Sequence, residues 1–393
     1  MTYVYDRLIR DRLARSPKSV LLLGARQVGK STLMRSMGPD LVVNLADEAL
    51  FLAYGKDPGR LGRELASLRK PSSVLIDEVQ RLPTLLNSVQ AQMDEGSRHR
   101  FLLTGSSARK LKRGGANLLP GRIVLEHLDP LTIWELGPAF DLDKILARGA
   151  LPGIYADAAD TAADVLETYA TTYLREEVQA EALIRNVGSY ARFLDLAAAF
   201  SGDWINYSKV ASDAEIPKET VRRFFQILED TLLCFRIPPF DAPGSRRRVS
   251  HRDRFVLFDL GVRNALLGLH RGSPPPTEKG RLFEHWLALQ CLAFIRAHRL
   301  PWKVLGYRTD AGAEVDLVID MGRRFLALEC KLGTSVGSRQ ISGIRSFAEV
   351  AGKPVVGCVA FQGARAQSLG AAIEAVPYQD FLLERLPRLA RLG

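Results

Sequence analysis

Short apolar runs alternate with stretches of helical periodicity over the first part of the chain, at residues 20–23, 41–45, 74–76, 101–103 and 123–125. Buried runs of that length separated by helices are what a parallel sheet covered on both faces produces. An α/β domain is therefore expected over residues 1–155. From about residue 157 to 200 the composition turns to Ala, Leu, Glu and Arg with almost no Gly or Pro, which predicts two or three helices. Residues 156–200 read as a helical lid or linker. Residues 201–270 give helix, short turn and helix, then an apolar run at 232–238 and a basic stretch at 246–254. The run Arg271-Gly272-Ser273-Pro274-Pro275-Pro276 predicts a linker, because consecutive prolines hold the chain extended. Residues 280–298 carry one helical pattern, two strand-like runs follow within 313–331, and the remainder alternates helix and strand. That is a second α/β unit over residues 278–393. No internal repeat or low-complexity tract interrupts the pattern.

Composition narrows the class. A length of 393 residues exceeds one ordinary core and implies two or three domains. With 47% hydrophobic and 25% charged residues, disorder and fibrous repeats are excluded. The net charge of +10 favours a polyanionic partner, nucleic acid or an anionic membrane surface. The four cysteines (Cys234, Cys291, Cys330, Cys358) form no C-x-x-C pair and the six histidines are scattered, so neither a disulfide framework nor a zinc site is expected. The first residues lack a basic stretch followed by an apolar run, and no window approaches the ~18 apolar residues that would span a bilayer. A cytoplasmic chain without membrane insertion is the expectation.

The strongest chemical signal is Gly24-Ala25-Arg26-Gln27-Val28-Gly29-Lys30-Ser31, placed after an apolar strand and before a helix expected to begin near Thr32. Glycines at those positions let the loop wrap tightly, so that backbone N–H groups and the helix N-terminus face the phosphates of ATP. Lys30 is expected to reach the β- and γ-phosphates and Ser31 to ligate Mg2+. The run Val74-Leu75-Ile76-Asp77-Glu78 ends a strand in two carboxylates. Asp77 suits the magnesium shell and Glu78 the polarisation of attacking water, because phosphoryl transfer needs positioning and charge neutralisation. Thr104-Gly105-Ser106-Ser107 follows the next strand, where a hydroxyl, assigned to Ser106, would orient water or sense the γ-phosphate.

At these residues, and at Leu119-Pro120-Gly121-Arg122 before the following strand, the chain resembles the AAA+ ATPases, in particular a bacterial and archaeal branch with a poorly characterised C-terminal domain. The resemblance runs on through Pro130-Leu131, Trp134-Glu135 and Gly149-Ala150-Leu151-Pro152. It implies that Arg122 is an arginine finger meeting the nucleotide of a neighbouring subunit, and hence a homo-oligomer.

The segment 201–270 resembles a winged helix. Pro217 near a helix start, followed by Lys218, Thr220, Arg222 and Arg223, is what a recognition helix would carry, and the wing would be the basic run 246–254 with Arg246, Arg247 and Arg248. Residues 200–255 hold ten basic and eight acidic residues, so DNA contact is expected mainly on the wing. The C-terminal unit carries Glu314-Val315-Asp316, a turn, and Glu329-Cys330-Lys331. Alternation along strands puts Asp316 on the face of Glu314 and Glu329 on that of Lys331, and a hairpin would bring them together. Oxygen ligands for magnesium beside a cation are what metal-assisted phosphodiester cleavage requires. This looks like the PD-(D/E)xK nuclease fold, a restriction-endonuclease-like α/β domain. The resemblance implies catalysis by Glu284, Asp316, Glu329 and Lys331, with Asp316 and Glu329 as metal ligands. Val315 stands where that motif has proline. Cys330, on the opposite face, is expected in the core.

The expected protein is thus an ATP- and Mg2+-dependent ATPase joined through a winged-helix middle to a nuclease-like domain and acting on DNA. The alternative is a nucleotide-dependent regulator or scaffold whose nuclease fold is inactive. A metabolic kinase is the weakest reading, since no acceptor-binding signature accompanies the loop.

Overall fold

The computed structural model of the protein describes residues 5–68, 70–107, 121–173, 187–241 and 249–391. The five apolar runs of the N-terminal part are strands β1 (Ser19–Leu23), β2 (Leu41–Asn44), β3 (Ser73–Asp77), β4 (Arg100–Gly105) and β5 (Ile123–His127). All pair in parallel, in the order β2-β3-β4-β1-β5. Alternate residues of the central strands face opposite layers. Leu21, Val74, Ile76 and Leu103 pack on helices Arg60–Ser67 and Leu85–Asp94, and Val20, Leu22, Leu75 and Leu102 on the other side. The strand order reverses beside β1, and in such sheets ligands bind at the carboxyl ends of the strands next to that point. The glycine-rich loop, Asp77 and Thr104 all lie at this edge.

The second layer of that sheet is not self-contained. Leu151, Ile154, Leu166 and Tyr169 join it to an aromatic cluster of Tyr190, Phe193, Phe224 and Phe225, so these residues share a core with the first sheet. Here helix Val187–Ala199 precedes helix Tyr207–Ala214, a turn, and helix Lys218–Asp230. An antiparallel pair follows, β6 (Cys234–Ile237) with β7 (Arg254–Leu257).

The C-terminal sheet comprises β8 (Lys303–Arg308), β9 (Glu314–Asp320), β10 (Phe325–Lys331), β11 (Val355–Phe361), β12 (Gln367–Gly370) and β13 (Ile373–Pro377), in the order β12-β13-β11-β10-β9-β8. Antiparallel β8-β9-β10 continue into parallel β10-β11-β13. Helix Pro276–Ala297 covers the face bearing Leu317 and Leu328, and helix Ser342–Ala348 the face bearing Val318 and Phe325.

Three local expectations are corrected. The helix after the glycine-rich loop begins at Lys30, not near Thr32, because the loop turns directly into it through Gly29 at φ 95°. The triproline run enters a helix: Pro276 is its first residue, where a missing N–H costs nothing. Arg271 is tied to Asp164 at 2.8 Å and Glu167 at 2.6 Å, which anchors this segment on helix Ala159–Thr168. The wing expected over the basic run 246–254 does not extend to its last residue, since Arg254 is the first residue of the fully buried β7 and is 3% exposed. Its neighbours Phe255, Val256 and Leu257 pull the backbone into the core.

Candidate active site

The loop between β1 and helix Lys30–Arg35 lies over the carboxyl edge of the first sheet. A side chain on Gly24 would meet the carbonyl oxygen of Leu128 at 2.5 Å, so only glycine allows the segment after β5 to pass there. Lys30 is 4% exposed, and its Nζ donates to the carbonyls of Gly24 and Ala25 at 2.9 Å each. Ser31 Oγ donates to Asp77 Oδ1 at 2.8 Å. Thr104 Oγ1 donates to the same oxygen at 2.5 Å and accepts from the Glu78 amide at 3.0 Å. One fully buried hydroxyl thus fixes both carboxylate-bearing residues. Glu78 has φ 60°, a left-handed conformation uncommon for a non-glycine residue, and the turn it makes aims its side chain into the cleft. Gln80 holds the Glu78 carboxylate and also donates to Ser106 Oγ at 3.0 Å.

Lys30, Ser31, Asp77 and Glu78 line an open cleft of about 820 Å³, with Arg26, Gln27, Gly29, Thr32, Arg35 and Arg81. Pro152 and Gly153 of helix Pro152–Ala156 and Asp157 just after it complete the wall. A contiguous recess of about 320 Å³ is closed by Tyr5, Asp6, Arg7 and Arg10. The donor set suits a hard cation, because Mg2+ is commonly held through one or two carboxylates together with substrate phosphates and water, and a hydroxyl and a carboxylate stand here at contact distance. Arg35 Nη2 lies 3.5 Å from Asp77 Oδ2 and balances its charge.

Several functional positions escaped the sequence reading. Thr104, not Ser106, contacts Asp77 and Glu78, while Ser106 supports them through Gln80; the motif located the turn without ranking its hydroxyls. Arg7 is 6% exposed and donates to Val28 O at 2.6 Å and Asp129 O at 2.5 Å, with Glu135 at 2.9 Å. It fastens the loop from beneath, and no local pattern marks it. Arg122, at the start of β5, pairs with Asp94 at 2.5 Å. β5 runs parallel to β1, so Arg122 sits ~16 Å below the phosphate edge by strand rise. It cannot reach its own subunit's cleft.

The second constellation also assembles. Lys331 Nζ lies 3.2 Å from Glu329 Oε2 and 3.7 Å from Asp316 Oδ2. Asp316 Oδ2 accepts from the Cys330 amide at 2.8 Å, and the Cys330 side chain is buried on the opposite face, as expected from alternation. Glu284 is held by Arg254, and Glu314 by Trp204 Nε1 at 2.6 Å and Arg308 at 3.5 Å. Burial pushes the Glu329 carboxyl far up, and Asp316 adds to the rise. Burial, then Asp316, likewise raises Glu284 against the opposing pull of Arg254. Among the described residues, no group of three or more His, Cys, Asp or Glu side chains is arranged to hold a metal ion. Arg222 and Arg223 are exposed on helix Lys218–Asp230, Arg222 pairing with Glu219 at 2.7 Å. Arg246, Arg247 and Arg248 lie outside the described residues. No described helix is long and apolar enough to cross a membrane.

Residues 16–137 match the family described as AAA domain, while residues 139–273 and 279–381 match two domains of unknown function, DUF8612 and DUF4143. The chain is 28% identical over 330 residues to uncharacterized protein Rv2008c of Mycobacterium tuberculosis (strain ATCC 25618 / H37Rv), covering 82% of this chain and 72% of the relative. The same values hold for uncharacterized protein Mb2031c of Mycobacterium bovis. Among solved structures it is similar to AMPPCP-bound DnaA from Aquifex aeolicus, at 12% identity over 56% of this chain and 84% of that one, with a TM-score of 0.27. The residues matched by the AAA domain, 16–137, include the glycine-rich loop, Asp77, Glu78 and Thr104.

Proposed function

We propose that the protein is an ATP-hydrolysing, Mg2+-dependent switch that acts on DNA, in which a winged-helix middle makes the contact and a restriction-endonuclease-like C-terminal unit is retained as an inactive fold. The observation that carries the ATPase part is the alignment of Ser31, Asp77 and Thr104 at one point of the cleft, with Glu78 directed by the same threonine. Lys30 and the loop amides, together with Arg26, Gln27 and Thr32, bind the phosphates. Ser31 and Asp77 hold the magnesium ion, which supplies charge neutralisation at the phosphates. Glu78 accepts a proton from the attacking water, and Gln80 keeps its carboxylate turned toward it. Arg122, out of reach of its own cleft, acts on a neighbouring subunit in a homo-oligomer.

Two observations support the middle and C-terminal parts. The apolar face of helix Lys218–Asp230 is buried through Val221, Phe224 and Leu228, which leaves Lys218, Arg222 and Arg223 outward, the disposition a groove-reading helix needs. The regulator reading is favoured over cleavage because the Glu284 carboxylate is taken up by the buried Arg254.

ATP turnover by the purified chain tests the core of the proposal. Lys30→Ala is expected to abolish ATP binding, and Glu78→Gln to bind ATP while turning it over at least tenfold more slowly. Turnover unchanged in both variants overturns it. Fluorescence anisotropy with labelled duplex and single-stranded DNA tests the partner: Arg222→Ala/Arg223→Ala is expected to weaken binding several-fold and flatten its salt dependence.

A further inference from the structure

The acidic cluster of the C-terminal sheet receives a cation from another part of the chain. Arg254, first residue of β7, sends its guanidinium across the boundary between the β6-β7 pair and the C-terminal sheet. Its Nη2 donates to the Glu284 carboxylate, its Nη1 to the Asp316 carbonyl, and its Nε to the Gly202 carbonyl at 2.8 Å. The Trp204 ring stacks beside it, 5.6 Å from centroid to guanidinium carbon. That indole donates to Glu314 and packs against β8, where a side chain on Gly306 would meet it at 2.6 Å. The next residue, Phe255, stacks on Phe225 at 4.3 Å. Arg254 therefore cannot leave without unpacking β7.

We propose that Arg254 is a built-in counter-ion that closes the cluster of Glu284, Asp316, Glu329 and Lys331 to divalent cations, so that the cluster serves as a clasp between the β6-β7 pair and the C-terminal sheet rather than as a metal-dependent phosphodiesterase centre. The chemistry favours this occupant. A hard cation needs several oxygen ligands free to turn toward it, and here each carboxylate already has a cationic or N–H partner. A guanidinium brings a permanent charge and a planar fork of donors, and stays charged when desolvated. A metal entering the cluster would leave this arginine buried without its carboxylate, as an uncompensated charge. The inference is independent of what the winged-helix segment binds and of ATP turnover.

Manganese binding to the nucleotide-free full chain, followed by electron paramagnetic resonance and calorimetry, tests it. Wild-type protein is expected to show no Mn2+ site that Asp316→Asn removes. Arg254→Met is expected to gain one such site, at least tenfold tighter than any background binding, and its melting midpoint is expected to rise with Mn2+ by more than that of the wild type. A second variant separates clasp from fold: Arg254→Met/Glu284→Leu, which removes both partners, is expected to recover most of the stability lost in Arg254→Met. Mn2+ binding to wild type that disappears in Asp316→Asn overturns the proposal, and that measurement decides even where Arg254→Met does not fold. A folded Arg254→Met chain that gains no site overturns it equally.

Discussion

Asp259 connects the middle of the chain to the nucleotide cleft, and its titration gives a measurable consequence. It is 1% exposed and caps helix Leu260–Leu266 by accepting from the Val262 amide at 3.0 Å. Its other oxygen accepts from the Ala150 amide at 2.7 Å, two residues before Pro152 of the cleft wall. The fit is tight, since a side chain on Gly149 would lie 2.2 Å from Asp259 Oδ1. Burial pushes the carboxyl up from 3.8 to about 6, and the amide bonds only partly offset that rise. The native state therefore binds this proton more strongly than the unfolded chain does. The stabilisation is fully present below pH ~3.8 and is lost as pH rises through about 6. At ~1.36 kcal/mol per pH unit the loss amounts to about 3 kcal/mol. Asp259→Asn removes the titration and keeps one acceptor oxygen. Urea unfolding of wild type and variant from pH 4 to 7.5 is the assay, and the difference curve cancels the titration of Glu284 and Glu329, which both proteins share. Wild-type stability is expected to fall by about 2.4 kcal/mol relative to the variant over that range. Parallel curves would refute the assignment of a buried, proton-binding Asp259.

Two further outcomes follow from the nucleotide cleft. Thr104→Val keeps the side-chain shape but strands the buried Glu78 amide and removes a donor from Asp77. An unsatisfied buried donor costs ~1–3 kcal/mol, so kcat is expected to drop by about tenfold to a hundredfold with KM for ATP little changed, and an unchanged kcat removes Thr104 from the machinery. Mixing Arg122→Ala subunits with Lys30→Ala subunits is expected to restore part of the ATP turnover each lacks alone, because mixed interfaces pair an intact Arg122 with an intact loop; no recovery dismisses the role in trans.

Much of the cleft was legible along the chain because its determinants are local. The loop from Gly24 to Ser31, the strand ending in Asp77 and Glu78, and the turn after β4 each carry their signal within a few residues, and hydrophobic period marks the strands that bring them to one edge. The rank of Thr104 over Ser106 was not legible, since it depends on how β4 sits beside β3. The C-terminal sheet shows the same division. Alternation correctly placed Asp316, Glu329 and Lys331 together and Cys330 on the other face, whereas β8 lacked a contrast strong enough to stand out.

What the sequence by itself determined is the set of elements and the two constellations, because backbone period and loop chemistry are properties of neighbouring residues. What only the tertiary structure decided is the state of charge around them. Arg254 reads as the end of a basic wing, yet its partners lie 30 and 62 residues away and meet it only when β7 packs against the C-terminal sheet. Arg7 reaches its partners 21, 122 and 128 residues on. Coulomb and hydrogen-bond energies depend on distance through space and on burial, and neither quantity exists until the chain has folded.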